Sequence, residues 1–268
     1  MVTTISAPSD QLRSRRIVDL VRISATRALK VRYRGTVLGI LWSFANPVLM
    51  TVIYSAIFGT AFSKYYDGSV TRYVVSAFVG LVVVTLFINA TNESLQSIVS
   101  GGSLLNKIAL PPLVFPLSTV AANVFQQAVT TFPIVFVLSI VLTHDPVRVL
   151  LVPVVLVAIV MLTTGFSIAL SVLFVFFRDL PHAWNIVGFV LWLTSALFYP
   201  TQLIAPNLRF WYRLNPVGQS IGALREVAIQ RGPLDLGPIL ATMCAGALAL
   251  AAGAWLYRVT RRELMDLL

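Results

Sequence analysis

Residues 32–62 read RYRGTVLGILWSFANPVLMTVIYSAIFGTAF. Two arginines, Arg32 and Arg34, lead into residues 35–63, which carry no charged side chain. At about 1.5 Å per helical residue, that run is long enough to cross a hydrocarbon core of roughly 30 Å. It is expected to be a membrane span that begins on the cytoplasmic side. A plain anchor would be evenly apolar, whereas Trp42, Ser43, Asn46, Pro47 and Tyr54 bring polar groups and a kink into hydrocarbon. Each such group needs a partner inside the protein, so the span should pack against others or face a lumen.

The composition extends this reading to the whole chain. Of 268 residues, 57% are hydrophobic and 11% charged, with a mean hydropathy of +0.86. Soluble domains carry about a quarter charged residues, so a polytopic membrane protein is expected. The net charge of +10 does not call for a nucleic acid partner, because eight of the twenty Lys and Arg precede residue 36 and suit a membrane surface. Cys244 is the single cysteine, which excludes an intrachain disulfide or a thiolate metal cluster. No apolar run occurs in the first thirty residues, so the first span, and not a cleaved signal peptide, is expected to direct insertion.

Outward from the first span, the pattern predicts an all-α membrane protein with six transmembrane helices. Residues 1–35 form an N-terminal segment in which Ile17, Leu20, Val21, Ser24, Ala28 and Val31 fall at helical spacing. Arg13, Arg16, Arg27 and Lys30 gather apart from them, which predicts an amphipathic helix along the headgroups. The span domain, 36–257, holds helices at about 36–62, 73–92, 117–142, 149–177, 182–199 and 236–257. Between the second and third lies an elbow, 94–112, whose Gly101-Gly102 and prolines exclude a straight span. Residues 200–233 are too polar to cross and too apolar to be a tether; they predict short helices dipping into the outer leaflet, one starting at Asn215-Pro216. Residues 258–268 form a basic tail. With both ends inside, the cytoplasmic segments carry thirteen Lys and Arg (eight N-terminal, Lys107, Arg178, Arg258, Arg261 and Arg262) against seven outside, which favours that orientation.

Several chemistries are missing. Gly101 to Lys107 fails as a P-loop, since the second glycine and the Ser or Thr after the lysine are absent, so no ATP site is expected in this chain. His144-Asp145 lacks a nucleophile and reads as a turn before Pro146. His182 reads as an interfacial residue. Catalytic residues and metal ligands are not expected, nor is ion coupling, because ionisable side chains are nearly absent from the spans. What the spans offer is aromatic and neutral polar faces. Asn185, Gly188, Trp192, Ser195, Ala196 and Tyr199 share one face of the fifth span; Ser43, Pro47, Met50 and Tyr54 share one of the first, near Trp42 and Asn46. As sets, such faces suit a conduit on which sugar rings stack; taken singly, each residue is better explained by helix packing or interfacial anchoring.

Arg32-Tyr33-Arg34-Gly35 followed by Leu38-Gly39, Leu41-Trp42, Phe44 and Asn46-Pro47 resembles the opening of permease subunits of polysaccharide-exporting ABC transporters, those for O-antigen, teichoic acid, capsule and galactan. The likeness continues through Leu104-Leu105-Asn106-Lys107, Pro116-Leu117-Ser118, Arg178-Asp179, Phe198-Tyr199-Pro200 and Asn215-Pro216 to Arg225. Pro111-Pro112 departs from it, where a charged residue would follow the first proline. The resemblance implies a homodimer in a bacterial cell membrane with both termini cytoplasmic, paired with two copies of a separate ATPase that holds ATP and Mg. It implies that the N-terminal helix is an interface helix and that the elbow contains a coupling helix. Glu93, Leu104, Leu105, Asn106, Lys107, Arg178 and Asp179 become candidates for coupling. It implies re-entrant helices at 200–233 forming an outer gate, and a conduit lined by Trp42, Ser43, Asn46, Tyr54, Asn185, Trp192, Ser195 and Tyr199. The substrate implied is a polyprenyl-diphosphate-linked glycan, with Arg32 and Arg34 as candidate diphosphate contacts. The competing readings are an exporter of the same fold for a drug or lipid and, further off, a membrane transferase on polyprenyl substrates.

Overall fold

The computed structural model describes residues 10–35, 39–101 and 111–267. The described residues hold helices and turns and no strand. In chain order the helices are α1 (Asp10–Arg32), α2 (Leu41–Phe62), α3 (Val70–Leu95), α4 (Ser97–Ser100), α5 (Val114–Thr130) and α6 (Phe132–Thr143). They continue with α7 (Pro146–Phe176), α8 (Leu180–Thr194), α9 (Arg209–Leu214), α10 (Pro216–Ala228) and α11 (Leu236–Leu267).

Apolar on nearly every face, α3 is the helix around which the others gather, and its residues from Tyr73 to Leu95 are largely buried. A helix apolar all round has no solvent side to offer, and here α2, α5, α7 and α10 enclose it. The longest interface joins α7 to α11, where small residues let the backbones meet. A Cβ added at Gly165 would lie 2.2 Å from the Ala249 carbonyl carbon, one at Gly246 2.6 Å from the Ala158 oxygen, and one at Gly253 2.5 Å from the Gly165 oxygen. In lipid, where the hydrophobic effect between helices is weak, such close approach is what holds two helices together.

By length and composition, the described residues do not reach the expected count of six spans. Four helices of the described residues are long and apolar enough to cross a membrane, and a fifth span results only if α5 and α6, bent by 44°, are taken together. Pro133 lies in the first turn of α6 and cannot donate a backbone hydrogen bond into the preceding turn, so the predicted span at 117–142 breaks at Thr131. The segment at 182–199 is the 15-residue α8 followed by a break. At about 1.5 Å per residue α8 is about 22 Å long, short of a core of roughly 30 Å. Ala196, at φ 51°, marks the break. Within the expected tail at 258–268, α11 continues as one helix to Leu267 and its Leu264 packs beside Ile98, Val172 and Val175. The start of the first span at 36–38 and the coupling residues Leu104, Leu105, Asn106 and Lys107 lie outside the described residues.

Candidate functional site

Three constellations stand out, one at the α1 end of the bundle, one along α2 and α8, and one around α10. At the α1 end, Arg32 closes α1 and forms an ion pair with Glu93 of α3. Arg32 Nη1 also donates to Gln126 Oε1 of α5 (2.8 Å) and, at 3.5 Å, to Asn123 Oδ1, while Asn123 Nδ2 donates to Glu93 Oε2 (2.7 Å). One ion pair and two carboxamides thus tie three helices together. Beside them a recess of about 160 Å³ opens between α2, α3 and α5, with Trp42, Ser43 and Asn46 on one wall and Asn89, Gln126 and Thr130 on the others.

Along the second constellation, Tyr54, Phe58 and Phe62 recur at four-residue spacing, which places them on one face of α2. Their rings stack in sequence, with centroids 6.1 Å apart for Tyr54 and Phe58 and 5.6 Å for Phe58 and Phe62. Tyr54 lies flat on Phe198, at 3.4 Å and 7°. Phe198 meets Trp192 edge-on at 5.6 Å, and Trp192 stacks on Phe189 at 6.5 Å. Six rings from two helices and the break after α8 therefore form one ladder. Phe198 is buried, but Phe189 is exposed and Tyr54, Phe58, Phe62 and Trp192 are partly exposed, so the ladder leaves aromatic surface open to the apolar C–H groups of a ligand.

The third constellation fixes that break. Arg225 of α10 is buried and donates to the carbonyl oxygens of Ala196 (2.9 Å), Leu197 (2.7 Å) and Ser76 (3.2 Å). Tyr73 donates to the Phe198 oxygen at 2.9 Å, and Asn215 Nδ2 donates to Ser195 Oγ at 3.0 Å. Carbonyls just past the C-terminal end of a helix carry partial negative charge, so a guanidinium is well matched there. Asn215 also caps α10, its Oδ1 accepting from the amides of Val217 and Gly218. Nearby, Arg148 of α7 is buried against Glu226, donating to its carboxylate (2.9 Å) and backbone oxygen (2.5 Å) and to the Gly232 oxygen (2.9 Å). Burial pushes the Tyr212 phenol above its usual range, and its hydroxyl donates to the Gly218 oxygen at 3.2 Å. Asp145, predicted to form a turn, accepts from the Val147 amide and caps α7.

The expected conduit residues divide. Trp42, Ser43 and Asn46 gather at the recess, and Tyr54 and Trp192 join the ladder through Phe198. Ser195 is buried, donating to the Leu191 oxygen and accepting from Asn215. The Tyr199 hydroxyl donates to the Leu193 oxygen at 3.2 Å, and Asn185 is exposed on α8. Of the coupling residues described, Glu93 is engaged by Arg32, while Arg178 and Asp179 are exposed between α7 and α8, with Arg178 over the Phe174 ring at 5.5 Å. Arg34 is exposed in a groove shared with Asp19, Arg22, Arg27 and Lys30 on α1. Sequence reasoning did not single out Arg148, Asn89, Gln126 or Phe198 for a role. Two of them carried a visible signal: Arg148 is a charge just inside an apolar run, and Asn89 is an amide within one. Among the described residues no three His, Cys, Asp or Glu side chains gather closely enough to hold a metal ion.

Residues 19–229 match the family described as ABC-2 type transporter. The chain is 28% identical over 216 residues to the O-antigen export system permease protein RfbA of Klebsiella pneumoniae, covering 79% of this chain and 80% of that protein. It is 26% identical over 243 residues to the protein of the same name from Myxococcus xanthus, covering 90% and 92%.

Proposed function

We propose a function from the premise that this chain belongs to the ABC-2 type transporter family: it is the membrane permease of an exporter that carries a polysaccharide out of the cell. In this reading two copies pair across the exposed faces of α2 and α8 and enclose a path between them, and two copies of a separate ATPase dock at the α1 end. The cargo enters as a glycan on a polyprenyl diphosphate, with the basic groove of α1, including Arg34, facing the diphosphate.

The observation that carries the reading is the aromatic ladder from Phe62 through Tyr54, Phe198 and Trp192 to Phe189. A sugar ring has an apolar C–H face and a hydroxyl edge, so a row of rings gives it repeated, weak and equivalent footholds. A chain of sugars can slide along such a row without a deep energy minimum at any point. ATP binding and hydrolysis in the partner would bias the pair of permeases between closed and open arrangements, acting through contacts at the α1 end.

The test is a strain lacking this chain, complemented with wild type or variants, with glycan on intact cells read by a lectin or antibody. Wild type should restore surface glycan and co-purify with a P-loop ATPase. Surface glycan that persists without the chain, or a purified permease with no ATPase partner, would overturn the reading.

A further inference from the structure

The recess between α2, α3 and α5 holds more hydrogen-bonding capacity than the fold uses. Its volume of about 160 Å³ gives room for roughly five waters at about 30 Å³ each. Two of its amides are occupied: Asn123 serves Glu93 and the Thr119 oxygen, and Gln127 bonds the Val82 oxygen and the hydroxyls of Thr85 and Thr131. Gln126 differs, because Arg32 takes its Oε1 and leaves the amide hydrogens for the recess. The side chains of Asn46 and Asn89 and the indole N–H of Trp42 make no hydrogen bond among the described residues. Asn46 and Asn89 belong to helices apolar enough to cross a membrane. Both are exposed in the single chain, so within the membrane each amide needs a partner from beyond it.

The free groups define what that ligand is. They are neutral, and they include both donors and acceptors, which suits hydroxyls, since each hydroxyl gives one hydrogen bond and accepts others. A phosphate would need a cation; none of the described residues lining the recess is one, and Arg32, bonded to Gln126 of that lining, is already paired with Glu93. An apolar ligand would leave the amides unanswered. Trp42, 58% exposed at the rim, adds an aromatic face for ring C–H groups. We propose that this recess is a subsite for one uncharged pyranose ring, held by Asn46, Asn89 and Gln126 and covered by Trp42. The proposal rests on the polysaccharide reading and adds to it a place, next to the Arg32–Glu93 pair, where a single sugar is recognised.

Saturation-transfer NMR on the full-length permease in lipid nanodiscs tests it, with the methyl pyranosides of glucose, mannose, galactose and rhamnose as probes and inositol as a headgroup control. At least one pyranoside should bind wild type. Asn46→Leu and Asn89→Leu, similar in size but unable to hydrogen-bond, should each weaken that binding about fivefold, as loss of one hydrogen bond predicts. Leu248→Ala, on the exposed side of α11 and part of neither the recess nor the ladder, should leave it unchanged, and thermal unfolding confirms that each variant is folded. No pyranoside signal on folded wild type would overturn the subsite, as would a signal insensitive to Asn46→Leu, Asn89→Leu and Gln126→Leu alike. Inositol binding as strongly as the pyranosides would reassign the recess to a lipid headgroup and overturn the sugar assignment. The export reading is scored separately in the complemented strain, so surface glycan that depends on the chain, with no sugar in the recess, would remove the subsite alone.

Discussion

Arg225 and Arg32 are both cations that join helices, yet they sit in opposite surroundings. Arg225 is 8% exposed and binds three backbone oxygens from two other parts of the chain. Arg32 is 28% exposed at its side chain and holds Glu93, itself 38% exposed, together with two amide side chains. Removing the first leaves buried carbonyls with nothing to replace it, whereas water can replace much of the second. The α10 end is therefore built to stay in one arrangement, and the α1 end to open at small cost. That asymmetry suits the coupling role proposed for the α1 end.

The largest expected effect is at the fixed end. Arg225→Met should destabilise by at least about 3 kcal/mol, since three buried carbonyl oxygens lose their donor at about 1–3 kcal/mol for each left unsatisfied. Thermal unfolding in detergent measures it; a loss under about 1 kcal/mol would break the contrast. Next comes the α7–α11 seam, where Gly165→Val places new atoms against the Ala249 backbone and should cost about 3 kcal/mol by forcing the helices apart. At the open end, Arg32→Gln should cost less than about 1 kcal/mol, because the pair is partly exposed. Glu93→Ala should leave the assembly intact while ATPase activity no longer drives export; normal export from this variant would remove the α1 end from the coupling account.

The smallest effect concerns Tyr212. Its folded pKa is raised by burial, so the unfolded chain releases the phenol proton first as pH rises. The stability it contributes is complete below the ordinary tyrosine range, near pH 10, and is lost as pH climbs through the raised folded value. Tyr212→Phe should flatten the decline of the unfolding midpoint above about pH 10 relative to wild type, and an unchanged slope would mean that the phenol is not shielded.

Much of this fold was legible because a charge-free run of sufficient length can only be read one way. Where helices stop inside such a run was harder to see. Pro133 stood in plain view in the third predicted span, but only the structure shows that it opens a new helix bent by 44° from the last. The break after α8 depends on Arg225, which reaches Ala196 from 29 residues along the chain, and hydropathy carries no trace of that bond. The site divides in the same way. Helical spacing brought out Tyr54 and Trp192, because each lies on a patterned face of its own helix. Phe198, which joins them, sits in the break, and Asn89 and Gln126 face Asn46 from two other helices, so local periodicity could not pair them.

The ladder is the central claim, and translocation by the reconstituted permease with its ATPase tests it most directly. Lipid-linked glycan reaching the far side of a vesicle per ATP hydrolysed should fall at least about tenfold, about 1.4 kcal/mol, in Tyr54→Ala and Trp192→Ala, with assembly and ATPase activity retained. Wild-type translocation in both variants would contradict the account.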